Sequence, residues 1–292
     1  MKKFLSLVLI AILALSALSL TACSGEIEQG SKIERVLITL DFYDAENKVV
    51  DTKTVQAKLY LNFAPETCAR FLSLAEDGYF DGTCVSNVQS GWFEFGGYTF
   101  ENGTLTKKAF DENKYPALKG EFEKNGWVGN KLTTKSGSLI FKHETESVNG
   151  VSKYDTAKGT IIVALSTLSK FPASEYCVFG TICNDDADDN PYSAVDSSLV
   201  NRSGKSSVAV LNTLTDLVSG DGVRTYYYEK ENVFYTRVTD DDGVRYYLGT
   251  EIGGDALEGE ELEKIEDLVS DSDDALLTVP YTKVVIKSVK KK

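Results

Sequence analysis

The sequence predicts a mainly β domain with a short helix near its start, and three observations carry that prediction. Leu59, Tyr60, Asn62 and Phe63 alternate in a way that suits a half-buried strand. Pro65 then stands at a first helical position, and Cys68, Phe71, Leu72 and Ala75 recur at a spacing that gives one buried face over about three turns. Asp77-Gly78 ends this helix and Asp81-Gly82 marks a second turn. Much later, strand-like runs from Val223 to Tyr228, Val233 to Val238 and Val244 to Leu248 surround the hairpin turn Asp242-Gly243, which predicts a small meander.

The chain has 292 residues, 42% hydrophobic and 26% charged, which is the composition of an ordinary globular protein rather than a disordered one. Lys2 and Lys3 precede an apolar and small-residue run from Phe4 to Leu20, the pattern of a secretory signal. Its ending, Leu20-Thr21-Ala22-Cys23, resembles the bacterial lipobox. Cleavage there implies a lipidated Cys23, a signal peptide over residues 1–22 and a polar spacer over 23–32. Acyl chains hold a soluble domain on a membrane because each buried methylene adds roughly 0.8 kcal/mol. Loss of residues 1–22 removes two lysines and takes the formal charge from −13 to −15. So acidic a surface lacks the basic footprint that nucleic-acid binding needs.

In the mature chain, Arg35 to Tyr43 and Lys53 to Tyr60 read as two strands joined at Asp44-Ala45-Glu46-Asn47. The stretch after them, from Ala57 to Gly97, resembles the first half of the cyclophilin-type peptidyl-prolyl isomerase domain. That family reads A-P-x-T-x-x-N-F, L-A-x-x-G-Y-Y-D-G-T, then F-H-R-V-x-x-x-F-x-x-Q-G-G. Ala64-Pro65-Glu66-Thr67, Phe71, Leu74-Ala75, Gly78-Tyr79-Phe80-Asp81-Gly82-Thr83, Val88, Gly91 and Gly96-Gly97 fall in register without a gap. Leu118 to Trp127 resembles the I-x-G-E-F-x-x-N-G-[FW] segment of many bacterial cyclophilins, and Leu132 to His143 resembles the strand that follows. Tyr154 to Val163 aligns with D-S-A-x-S-Q-F-F-I, and Ser174 to Ile182 reads like D-G-x-Y-x-V-F-G-x-V.

The resemblance implies a closed antiparallel barrel of about eight strands capped by two helices. The second helix would carry Val208, Leu211, Leu214, Leu217 and Val218, and the closing strand would run from Lys283 to Val289. The domain then covers residues 33–289, with an insertion at about 220–280 that holds the meander and an acidic amphipathic helix built on Leu257, Leu262, Ile265, Leu268 and Val269. The six tyrosines of the meander suit either a binding face or the plain preference of aromatic residues for strands.

Isomerisation of an X-Pro bond requires no covalent step, only tighter binding of the twisted amide than of either planar form. The resemblance implies an arginine at the prolyl nitrogen, an apolar pocket for the ring and a glutamine on the neighbouring peptide. Here Val85-Ser86-Asn87 stands for F-H-R, so Asn87 replaces the arginine as the candidate catalytic residue. Trp92 and Phe93 replace the pocket phenylalanine and methionine, and Phe95 replaces the glutamine before the double glycine. Thr160 and Ile162 replace the glutamine and last phenylalanine of S-Q-F-F. Phe171 and Tyr176 fall near the pocket tryptophan and histidine. Replacement of nearly all these letters implies weak or absent catalysis, with proline-containing segments of exported proteins as partners outside the cytoplasm. The other reading is a non-catalytic protein-binding lipoprotein in which Trp92, Phe93 and Phe95 fill the groove; a third is a small-ligand binder using the meander.

Cys68, Cys84, Cys177 and Cys183 remain after Cys23. They could form two disulfides outside the cytoplasm, but positions within apolar runs favour buried thiols. No CxxC pair and a single histidine, His143, argue against zinc, and no cofactor is expected. The acidic run Asp185 to Asn190 lacks the glycine and distal glutamate of a calcium loop.

Overall fold

The structure is a computed structural model. It describes residues 32–44, 46–89, 91–101, 103–143, 147–148, 151–152, 154–183, 225–228, 233–239, 245–250, 277–280 and 283–292. The signal segment, Cys23, the second predicted helix, the acidic run at 185–190, the Asp242-Gly243 turn and the acidic helix lie outside the described residues.

Strands β1 (Ile33–Tyr43) and β2 (Val49–Tyr60) form the opening hairpin in antiparallel register. Asp44 builds its turn: the Oδ1 atom accepts the Lys48 N–H at 2.8 Å, and Asn47 takes a φ of +66°, a conformation that asparagine tolerates. The alternation read through Phe63 ends earlier than expected. The chain turns after Tyr60, whose carbonyl accepts the N–H groups of both Phe63 and Ala64 at 3.1 Å.

Helix α1 (Pro65–Glu76) follows with proline in its first turn, and Gly78, at φ +68°, lies just past its end. Its buried residues are Thr67, Cys68, Phe71 and Leu74. Leu72 and Ala75, expected on that face, are only partly buried, so the stripe is rotated toward Leu74. Ala64 at the N-cap has no side chain with which to cap. Glu121, distant in sequence, caps instead, accepting the Thr67 N–H at 2.8 Å and the Glu66 N–H at 3.1 Å. A carboxylate there satisfies orphan donors and meets the positive end of the helix dipole. Glu121→Ala is expected to cost about 1–2 kcal/mol, the value of a lost cap, read as a lower midpoint in chemical denaturation.

The remaining strands are β3 (Ser86–Gln89), β4 (Trp92–Phe95), β5 (Tyr98–Glu101), β6 (Thr104–Lys107), β7 (Ser138–Phe141), β8 (Ser147–Val148), β9 (Val151–Ser152), β10 (Ile161–Ala164), β11 (Cys177–Cys183), β12 (Thr225–Tyr228), β13 (Val233–Thr239), β14 (Arg245–Thr250), β15 (Leu277–Val279) and β16 (Val284–Lys291). A 3-10 turn, Glu123–Asn125, sits before β7. Eight strands form one antiparallel sheet in the order β16-β1-β2-β11-β7-β10-β4-β3.

The expected closed barrel is not a continuous ladder, because β3 and β16 at the two ends of this sheet do not pair as strands. The residues just before β3 reach β16 instead. Gly82 N–H donates to Ile286 O at 2.8 Å, Ile286 N–H to Thr83 O at 2.8 Å and Val85 N–H to Val284 O at 2.9 Å. The chain then bends away at Asn87, which has a φ of +46°, and its pairing with β4 is irregular between Ser86 and Gln89. Gln89 reaches β15, where its Nε2 donates to Thr278 Oγ1 at 3.4 Å.

The predicted meander exists and gains a fourth strand, in the order β14-β13-β12-β15. Leu277–Val279 is too short for periodicity to reveal it. Tyr227, Phe234, Leu277 and Val279 bury themselves with Cys84 and Leu105, and the Tyr227 hydroxyl donates to Leu105 O at 2.7 Å. This second sheet therefore covers the seam where the first sheet's ends meet, a place that would otherwise leave strand edges open. One α-helix, not two, is present among the described residues. Cys68, Cys84, Cys177 and Cys183 are all buried thiols outside any disulfide, and burial pushes the Cys84 and Cys177 thiols up to about 12.

Candidate functional site

Strand β4 is the centre of the candidate site, and its period of two sorts the predicted residues onto two faces. Phe93 and Phe95 point into the main core with Ile161, Val163, Leu139 and Phe141. Phe95 packs edge-on to Phe80 at 5.5 Å. Trp92 lies on the other face, in a second buried cluster with Ile140, Ile162, Phe171 and Val178. Trp92 meets Phe171 edge-on at 5.3 Å, Phe171 meets Tyr176 at 5.0 Å, and Tyr176 stacks on His143 at 4.6 Å. The structure thus brings Trp92, Ile162, Phe171 and Tyr176 together and leaves Phe93 and Phe95 behind the sheet.

Asn87 joins this face through a residue that the sequence reading passed over. Its Nδ2 donates to Glu94 Oε1 at 3.0 Å, and Gln89 Nε2 donates to Asn87 Oδ1 at 3.3 Å. Glu94 is only 2% exposed and accepts the Lys142 ammonium at 2.8 Å on its other oxygen. A charged residue within the aromatic run Trp92-Phe93-Glu94-Phe95 was the available signal, since a lone carboxylate on a buried strand needs a partner.

Burial pushes the Glu94 carboxyl above its ordinary value, more than the Lys142 ammonium and the Asn87 amide pull it down. The stability linked to protonating it is fully present below the unfolded value near 4.5 and is lost as pH rises through the raised folded value. A Glu94→Gln variant is therefore expected to lose less thermal stability than the natural protein as pH rises from about 4.5 to 7. Parallel melting temperatures across that range would contradict this.

Thr160 lies apart from the aromatic cluster, on the wall of a pocket of about 420 Å³. Glu94, Gly97, Tyr79, Tyr98, Phe110, Lys142 and His143 also border this pocket. Gly96 lies just before Gly97 of this wall. Its φ is +88°, and a Cβ there would press on the Gly159 carbonyl oxygen and come within 3.2 Å of the Phe80 ring. The Tyr79 hydroxyl donates to Gly96 O at 3.0 Å, and Gly159 lies against the same ring. The double glycine is thus a close-approach device.

His143 is 4% exposed, and its Nε2 lies 2.8 Å from Glu175 O. Among the described residues there is no group of three or more histidine, cysteine, aspartate or glutamate side chains that could hold a metal ion.

The model of the family described as cyclophilin type peptidyl-prolyl cis-trans isomerase/CLD matches residues 47–185. No curated protein matches the chain. Among solved structures, a Cryptosporidium parvum cyclophilin type peptidyl-prolyl cis-trans isomerase is similar at 14% identity and a TM-score of 0.39, covering 89% of this chain and 98% of that one. A crystal structure of that protein in the presence of the dipeptide Ala-Pro is similar at 13% identity and a TM-score of 0.37, covering 87% and 98%. Residues 47–185, from the opening hairpin turn through β11, are thus the part of this chain that is similar to the cyclophilin type peptidyl-prolyl cis-trans isomerase domain.

Proposed function

We propose that this chain is a lipid-anchored, extracytoplasmic cyclophilin-like protein that binds proline-containing segments of exported proteins with weak or no isomerase catalysis. The observation that carries the reading is Asn87. It stands where the family pattern has its arginine, and its amide already donates to buried Glu94. A charge-assisted bond to the twisted prolyl nitrogen is about twice as strong as a neutral one. By analogy with removing one preorganised donor, the substitution costs about 2.7–4 kcal/mol, or roughly 10²–10³ in rate. The anchor rests on Lys2, Lys3, the apolar run to Leu20 and Leu20-Thr21-Ala22-Cys23.

One observation favours the second reading, a non-catalytic protein-binding lipoprotein that keeps the scaffold. Trp92 and Phe171 are 6% and 4% exposed and pack on each other, so these apolar positions already have partners. The test is prolyl exchange in a short Ala-Pro peptide followed by NMR, with the full chain in detergent. Shifted peptide resonances with slow or no catalysed exchange are expected. Exchange at the rate of an efficient isomerase would overturn the weak-catalysis reading, and unshifted resonances would leave the scaffold reading in its place.

A further inference from the structure

We propose that the pocket beside Glu94 binds the carboxylate side chains of an acidic peptide segment. The inference rests on the proposed function only in taking the ligand to be a peptide.

Four lysines, Lys107, Lys108, Lys142 and Lys158, border the pocket in a chain whose net charge is −13. Two of them pair with carboxylates of this chain, one buried and one exposed. Lys142 pairs with Glu94 at 2.8 Å and Lys158 with Glu112 at 2.6 Å. Lys107 and Lys108 have no carboxylate partner among the described residues, so two positive charges remain on the rim. Lys107 sits at the end of β6 opposite Tyr98, and the Lys108 N–H donates to Gly97 O at 2.8 Å, which fixes both at the pocket mouth.

The walls add apolar contact. Tyr79 and Phe110 meet edge-on at 5.7 Å, and the Lys108 ammonium lies 5.8 Å from the Tyr79 ring centroid. A volume of about 420 Å³ admits a few residues rather than a single ion. A peptide offers both halves of this chemistry, with methylenes against the rings and carboxylates at the lysines. Glu94 connects the pocket to Asn87, so an acidic residue in the pocket would lie beside a proline held on the aromatic face.

The test compares Glu-Glu-Ala-Pro with Gln-Gln-Ala-Pro by calorimetric titration of the full chain in detergent at low salt. The acidic peptide is expected to bind roughly tenfold more tightly, as two partly solvated ion pairs allow. In a Lys107→Gln/Lys108→Gln variant, and in the natural protein at high salt, the ratio should fall toward one. Equal affinities, or a preference that survives in the double variant, would overturn the proposal. So would binding of inorganic phosphate without binding of the acidic peptide. Glu-Glu-Ala-Ala separates the two readings. A charge preference that ignores proline supports the pocket and removes the proline reading; proline-dependent binding blind to charge does the reverse.

Discussion

Alanine in place of Gly96 is expected to destabilise the domain more than any other single methyl group added near the site. Two costs add. The backbone is in the left-handed region at φ +88°, where an L side chain pays about 1–2 kcal/mol. The new Cβ would also press on the Gly159 carbonyl, which cannot rotate away as a side-chain tip would, and on the Phe80 ring. Overpacking of this kind costs about 1–3 kcal/mol. A loss of about 2–5 kcal/mol is a large part of a typical folding free energy, so a melting temperature lower by several degrees or more should result. Alanine at Gly103 is the control: its φ is +83°, but nothing lies within 4 Å of its added Cβ, so only the backbone cost applies. Equal losses at the two positions would show that the contact with Gly159 is unimportant.

Restoring arginine at position 87 alone is expected to leave prolyl exchange near the natural level. The guanidinium would enter beside Glu94, whose oxygen lies 3.0 Å from the present amide, and would form a bidentate pair with that buried carboxylate. It would also inherit a φ of +46°, which asparagine tolerates better than arginine. Adding Glu94→Gln removes the competing charge. The double variant should exchange prolyl bonds roughly 10–100 times faster than Asn87→Arg alone, within what one preorganised donor supplies. A single variant as active as the double would show that Glu94 does not hold residue 87.

Both results depend on contacts that were partly visible in the chain. The proline start of α1 and its stop at Asp77-Gly78 were legible because they are local, whereas the turn before it, after Tyr60, was read as strand. So were β1, β2, the three strands of the meander and the terminal strand, since alternation and Asp-Gly punctuation act over a few residues. The cap on α1 was not legible. Ala64 carries no capping group, and Glu121 lies 54 residues from the Thr67 N–H it accepts. The fourth strand of the second sheet, Leu277–Val279, was likewise too short to show a period.

The candidate site divides in the same way. That Asn87 replaces an arginine, and that Trp92, Phe93 and Phe95 are apolar, follows from the linear order of residues. Their grouping does not. Trp92, Phe93 and Phe95 were expected in one groove, but the alternation of β4 puts Phe93 and Phe95 on the face opposite Trp92, and which face meets Ile162 and Phe171 depends on the pairing of β4 with β10. The sequence by itself determined the resemblance to cyclophilins over residues 47–185, the early helix, the hairpins and the substitution at position 87, because each is written in neighbouring residues. Only the tertiary structure decided that Glu94 holds Asn87 and Lys142, that Glu121 caps α1 and that the second sheet covers the seam. Those are pairings between residues distant in sequence, selected by the need to give every buried charge, helix end and strand edge a partner.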